Sequence, residues 1–159
     1  DKMLRAGVNV ALGCDGGPSD NNYDMVLEMR WASYLQKVNR LDPTLLPAET
    51  VLEMATLGGA RAMGLENDIG SLETGKKADL VVLDVHRPHI VPCPDPVSAV
   101  VCAARGDDVQ HVMIDGKWVV QDEKVLTLDE EDVLKRASDR AKGLYERAGI
   151  KIQPRWPMI

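Results

Sequence analysis

Asp15 stands between an apolar run, Val8 to Leu12, and a glycine-rich loop that opens Gly16-Gly17-Pro18. A carboxylate delivered in that way can accept a proton, return one or ligate a cation, because a rigid element fixes it and small residues leave room beside it. The same placement suits a plain turn or helix-cap residue, and the residues alone leave both alternatives open. Gly16, Ser19 and Asn21 are candidates for shaping the loop, whereas Asn21, Asn22 and Asp24 read as loop and cap residues rather than substrate ligands.

Other reactive side chains fare worse. Cys14 has neither a histidine partner nor a helix start near it in sequence, so it reads as a small buried thiol. "GSLETGKK", residues 70–77, approaches the phosphate-binding G-x-x-x-x-G-K-[ST], but Lys77 replaces the hydroxyl residue and a strand pattern follows where a helix is needed. His86 and His89 flank a proline, which removes the helical geometry that would aim both rings at one metal; with His111 they read as surface or loop-packing residues. Asp129 to Asp132 suits a helix start rather than a calcium loop.

The elements that must hold Asp15 follow from periodicity. "DKMLRAG" has the composition of a last helical turn with Gly7 after it, so the chain is expected to begin inside an element, with further sequence upstream. Val8 to Leu12 then reads as a buried strand, and in parallel α/β folds sites are built at the carboxyl ends of strands. Asp20, Asn21 and Asn22 offer cap oxygens to a helix over about residues 23–38, with Met25, Met29, Ala32 and Leu35 on one face. A second helix opens at Pro47 and is expected to stop at Gly58-Gly59, and a short helical turn ends at Gly64.

From Ile69 the period becomes that of strands. "ADLVVLDV" (78–85) and "SAVVCAA" (98–104) read as strands joined by a proline-rich loop, and Asp115-Gly116 marks a type I′ hairpin turn. Residues 127–130 resemble a capping box that starts a long last helix, with Val133, Ala137, Ala141, Leu144 and Ala148 as its buried stripe and Gly149 as its end. The tail, with Ile150, Ile152, Trp156 and Ile159, is expected to lie extended on a neighbouring surface.

Composition excludes several functions. Nineteen Lys and Arg against 25 Asp and Glu give 159 residues a net charge of -6, which disfavours nucleic acid and anionic membranes. No apolar run approaches the roughly 18–20 residues that span a bilayer, and a secretory leader pattern is missing, so a cytoplasmic location is expected. Three cysteines without C-x-x-C spacing point to reduced thiols rather than a disulfide framework. With no Phe the core must be built from aliphatic residues and seven Met, and a base-stacking platform is not expected.

Three stretches in order, "GVNVALGCDGGPSDNNYDMVLEMRWASYLQKV", "ATLGGARAMGLENDIGSLETGKKADLVVLD" and "VMIDGKWVV", resemble the C-terminal part of the metal-dependent amidohydrolases. The similar branch comprises the aminohydrolases and chlorohydrolases: S-adenosylhomocysteine/methylthioadenosine deaminases, guanine deaminases and triazine hydrolases. The resemblance implies an α/β fold, the end of a (β/α)8 barrel plus the C-terminal share of a small β-sandwich and a covering helix. Residues 1–68 would hold the last barrel strand and following helices, 69–127 the sandwich segment, and 128–159 the last helix and tail. It implies one divalent metal, Zn or Fe, with Asp15 as a ligand or beside the metal, shuttling the proton from metal-bound water to the leaving nitrogen while the resulting hydroxide attacks.

The implied activity is deamination of an N-heterocycle, a purine or purine nucleoside derivative being favoured, with a triazine as the alternative and a homodimer as the whole protein's state. Asp20 stands where the family commonly has Asn, which bears on loop anchoring and substrate. The family's H-x-H, further histidines and acid/base glutamate would precede residue 1, so these residues alone are expected to be inactive. A non-catalytic structural or dimerisation module is the competing expectation.

Overall fold

Side-chain carboxylates of Asp24, Asp95 and Asp129 cap the starts of three of the helices. In the computed structural model, which describes residues 1–151, 153, 155 and 156 and all but the side chain of Asp20 among them, two compact units are present, residues 1–124 and 125–159. In the first, a short α1 (Lys2–Arg5) precedes Gly7, whose φ of 75° suits glycine. A single turn, α2 (Gly17–Asp20), follows the Asp15 region and is not foreseen by periodicity.

The principal helix is α3 (Met25–Arg40), and its cap is Asp24 rather than Asp20, Asn21 or Asn22: the Asp24 carboxylate accepts from Val26 N (2.9 Å) and Leu27 N (3.1 Å). Val26, Met29 and Ser33 form its buried face. Helix α4 (Ala48–Ala55) starts after Pro47 and buries Ala48, Val51 and Met54. The break that follows is at Thr56 (φ -121°, ψ -89°), whose hydroxyl donates to the Leu52 carbonyl (2.7 Å), and not at Gly58-Gly59, both of which continue into α5 (Leu57–Met63). Gly64, at φ 69°, ends α5 as expected.

Two expected strands are absent from the sheet. Residues 98–104 lie in and just after helix α6 (Pro96–Cys102), since Asp95 caps it through Val97 N (3.0 Å) and the Ser98 hydroxyl (2.5 Å), and Pro96 opens it. Packing of α6 on α3 and α4 buries Val101 and Ala104, which outweighs the β preference of its valines. Val8 to Leu12 is extended but has no ladder partner among the described residues; Leu12 N instead donates to the Met54 carbonyl (3.1 Å). A strand is defined by its neighbours, and here the segment lies along helices.

The aliphatic core joins these pieces: Val26, Met29, Leu46, Ala48, Val51, Met54, Ile90, Val101 and Ala104 pack together, Val51 and Val101 with no exposure at all. Each fully buried Val or Met contributes on the order of 1.5–3 kcal/mol relative to exposure. Arg30 adds a polar tie, its guanidinium donating to the Ala104 carbonyl after α6.

The sheet is antiparallel in the order β1-β2-β3-β4, from Leu80–Leu83, Val109–Ile114, Lys117–Gln121 and the two-residue Lys124–Val125. Leu80 pairs with Met113 and Val82 with His111. Asp115 (φ 50°) and Gly116 (φ 76°) give the β2–β3 turn both positive φ values that type I′ requires.

The second unit contains α7 (Glu130–Ala148), capped by Asp129 through Asp132 N (3.0 Å) and ended by Gly149 at φ 66°. Asp129, not Thr127, is therefore the cap. The stripe of Val133, Ala137, Ala141, Leu144 and Ala148 exists on the helix but none of it is buried, Val133 being 43% and Leu144 54% exposed. A periodic pattern says which face is apolar and cannot say whether anything covers it. Of the tail residues singled out by sequence, Ile150 and Trp156 are exposed, and Ile152 and Ile159 lie outside the described residues.

Candidate functional site

Asp15 ends the extended segment that runs along α4 and α5. Two ties fix that segment: Leu12 N to the Met54 carbonyl, and Asn9 Nδ2 to the Gly58 carbonyl (3.0 Å). The Asp15 side chain is exposed, and its Oδ1 accepts from Gly16 N at 2.7 Å. One carboxylate oxygen is thus oriented by the adjoining peptide while the group as a whole faces outward.

The loop beyond it is built from short-range hydrogen bonds. Ser19 N donates to the Gly16 carbonyl and Asn21 N to the Gly17 carbonyl, both at 2.8 Å, so Gly16, Ser19 and Asn21 all belong to one tight turn. Asn21 ends α2 at φ 63°, a left-handed conformation that asparagine tolerates better than most residues. Asn22 Oδ1 accepts from Asp24 N at 2.6 Å, and Asp24 Oδ2 accepts from Gly106 N at 3.2 Å. Asn21 thus ends α2 through its backbone, Asn22 bonds the Asp24 amide, and Asp24 caps α3. Tyr23, whose hydroxyl accepts from Gly17 N (2.8 Å), has no sequence signal that singles it out.

A cavity of about 690 Å³ borders this loop, with Asn22, Tyr23 and Asp24 on one side and Met29, Leu52 and Val112 among its apolar walls. Asp15 is not among its lining residues. A smaller cleft of about 350 Å³ lies beside the extended segment, between Val10, Glu53, Gly58 and Arg61.

Two of the histidines are held by hydrogen bonds within the fold. His89 Nε2 lies 2.8 Å from Asp108 Oδ2, His111 Nδ1 accepts from Asp122 N (3.1 Å), and His86 sits in the loop after β1. Asp108 is the buried centre of a charged cluster: it also accepts from Arg105 N (2.8 Å) and lies 3.7 Å from Arg87, which pairs with Asp84 (3.0 Å) and Glu123 (2.6 Å). Burial pushes the Asp108 carboxyl up, but the His89 and Arg105 hydrogen bonds and the charges of His89 and Arg87 outweigh it and hold the group below the usual carboxylate range.

No group of three or more His, Cys, Asp or Glu among the described residues could hold a metal ion. Residues 70–77 form a loop in which Lys76 bonds Ser71 Oγ (2.7 Å) and pairs with Glu73 (3.3 Å), and β1, not a helix, follows. This is a turn, not a phosphate cradle. The three cysteines are half-buried thiols, and no helix among the described residues is long and apolar enough to cross a membrane.

Comparison with known proteins adds what the geometry lacks. Residues 1–119 match the model of the amidohydrolase family. A 5-methylthioadenosine/S-adenosylhomocysteine deaminase of Syntrophobacter fumaroxidans is 50% identical over 135 residues, covering 85% of this chain and 31% of the relative. A 5'-deoxyadenosine deaminase of Methanosarcina mazei is 47% identical over 146 residues, 92% of this chain and 33% of the relative. The crystal structure of an adenosine deaminase from Xanthomonas campestris with bound zinc superposes with a TM-score of 0.87 at 38% identity, over 91% of this chain and 33% of that one. An atrazine chlorohydrolase from Arthrobacter aurescens complexed with zinc gives 0.76 at 26% identity, over 87% and 31%. The chain spans about a third of the length of these proteins.

Proposed function

The chain belongs to the amidohydrolase family, and on that basis we propose that it is the part of a metal-dependent purine-nucleoside deaminase that carries the Asp15 loop. The observation that carries the proposal is the identity of about half, across 85–92% of this chain, to deaminases named for adenosine-type nucleosides. The triazine alternative is weaker, since the atrazine enzyme is 26% identical against 38% for the adenosine deaminase. Val8 to Cys14 would be the last strand of a (β/α)8 barrel and residues 69–121 the C-terminal share of a small sandwich; the TM-score of 0.87 supports this placement.

The donor set fits a metal only in part. Zinc sites in enzymes use three or more protein ligands; no such group exists among the described residues, and Asp15 is the one donor that the family resemblance assigns. The remaining ligands would come from the rest of the protein. A divalent ion, when bound, lowers the pKa of a coordinated water toward neutrality.

Deamination replaces an amino group on the ring by oxygen: water adds to the carbon, the C–N bond breaks and ammonia leaves. Asp15 would accept the proton that the attacking water loses and deliver it to the departing nitrogen, which otherwise leaves as a strongly basic amide. Its exposure and single short hydrogen bond from Gly16 N suit that role, because an outward carboxylate with one oxygen fixed can reach both the water and the substrate nitrogen.

The test is a substrate panel on the full-length protein: S-adenosylhomocysteine, 5'-methylthioadenosine, 5'-deoxyadenosine, adenosine and atrazine, with ammonia and chloride release followed. Ammonia from one or more adenosine derivatives is expected. Chloride from atrazine with no ammonia from any nucleoside would replace the proposal by the alternative.

A further inference from the structure

We propose that Tyr23 is a positioning residue for Asp15, holding the glycine turn through which the carboxylate is oriented. This rests on the deaminase proposal and extends it to a residue that carries no chemistry of its own.

The contact is specific. Gly17 N donates to the Tyr23 hydroxyl at 2.8 Å, and the ring lies so close that a Cβ on Gly17 would sit 2.4 Å from the hydroxyl oxygen and 2.7 Å from Cζ. Only glycine permits this approach. The next amide back, Gly16 N, is the one that orients Asp15 Oδ1. Two successive N–H groups therefore point one at Asp15 and the other at Tyr23, and the peptide between them transmits any movement of the phenol to the carboxylate. Two adjacent glycines are otherwise the most freely rotating pair a chain can contain, so this turn needs an external hold.

Tyr23 is anchored in turn. Asp24 caps α3 through Val26 N and Leu27 N, accepts from Gly106 N, and donates its own N–H to Asn22. A strap thus runs from the hydrogen-bonded Asp24 at the start of α3, along the backbone to Tyr23, and through the Tyr23–Gly17 hydrogen bond to the peptide beside Asp15. Tyr23→Phe keeps the ring and removes only the hydroxyl, so the variant isolates the hydrogen bond to Gly17.

The experiment compares wild-type, Tyr23→Phe, Gly17→Ala and the double variant in the full-length protein, reading kcat and KM on the best nucleoside of the panel, zinc release to a chelator, Tm, and hydrogen exchange at the Gly17 amide. Loss of one solvent-accessible hydrogen bond predicts that Tyr23→Phe lowers kcat about three- to ten-fold, with KM changed by less than about two-fold. Tm should stay unchanged, zinc release and Gly17 exchange should quicken, and the double variant should match Gly17→Ala, because both changes break one contact. An unchanged kcat, a raised KM with unchanged kcat, or effects that multiply in the double variant would overturn the proposal. Were the wild-type protein to deaminate no nucleoside, the deaminase proposal would fall separately, and unaltered Gly17 exchange in Tyr23→Phe would still refute the strap.

Discussion

A methyl group at Gly58 should destabilise the protein although the residue lies in a helix. Alanine is favoured over glycine in a helix interior by about 0.5–1 kcal/mol, so propensity alone predicts a gain. At Gly58, however, the added Cβ would lie 2.7 Å from the Val10 carbonyl oxygen and 3.2 Å from that of Glu53. Ordinary C···O contacts begin near about 3.3 Å, so the Val8–Leu12 segment would have to retreat by roughly 0.6 Å. Both obstructing atoms are backbone, and the segment is held by Leu12 N to Met54 and Asn9 to the Gly58 carbonyl itself, so no side-chain rotation relieves the clash. Overpacking of this kind costs about 1–3 kcal/mol, leaving Gly58→Ala up to about 2.5 kcal/mol less stable than wild type once the propensity gain is subtracted. Gly59→Ala is the internal control: it occupies the same helix, its Cβ would meet nothing within 4 Å, and it should gain up to about 1 kcal/mol. Urea denaturation followed by circular dichroism gives both values from the shift in midpoint. Equal stability of the two variants would refute the claim that the Asp15-bearing segment is packed on α5 through Gly58.

Two further outcomes follow from burial. Asp108→Ala removes the acceptor of the His89 and Arg105 hydrogen bonds and should cost about 2–3 kcal/mol by the same denaturation assay. Because the folded Asp108 carboxyl is held below the unfolded value of about 3.9, its contribution is present above that pH and is lost as pH falls through the lower, folded value; Asp108→Asn should therefore flatten the acid limb of the stability profile below about pH 4. Val51→Ala, at a residue with no exposure, should cost about 2–3 kcal/mol through lost contacts and a residual cavity, while the exposed Val38 changed in the same way should cost little, and equal costs would contradict the core assignment.

Where the sequence carries local chemistry, structure and sequence agree. Asp115-Gly116 dictates its turn through φ values that few other pairs accept, and Gly64 and Gly149 end their helices for the same reason. Residues 98–104 show the opposite: Val, Val and Cys favour a strand, yet the Asp95-Pro96 cap signal and burial of Val101 and Ala104 against α3 and α4 make it a helix. The Asp-Pro pair was visible in the sequence, and the packing was not. Val8 to Leu12 reads as a strand in the sequence and is extended in the structure, but it has no ladder partner among the described residues, because pairing depends on neighbours that no local pattern encodes. For the proposed site, the glycines around Asp15 and the family resemblance single it out as the candidate. The Tyr23–Gly17 and Asp24–Gly106 contacts were not, since a phenol reaching back six residues and a carboxylate reaching across 82 leave no periodic trace.

The central claim is that Asp15 moves the proton in deamination, and turnover of Asp15→Asn in the full-length protein tests it most directly. Asparagine keeps the size and one oxygen for Gly16 N but cannot accept a proton at neutral pH, so kcat for the best adenosine derivative should fall by about 10²–10⁴-fold, with Tm little changed because the shape and the Gly16 hydrogen bond are preserved. Turnover within a few-fold of wild type would remove Asp15 from the mechanism.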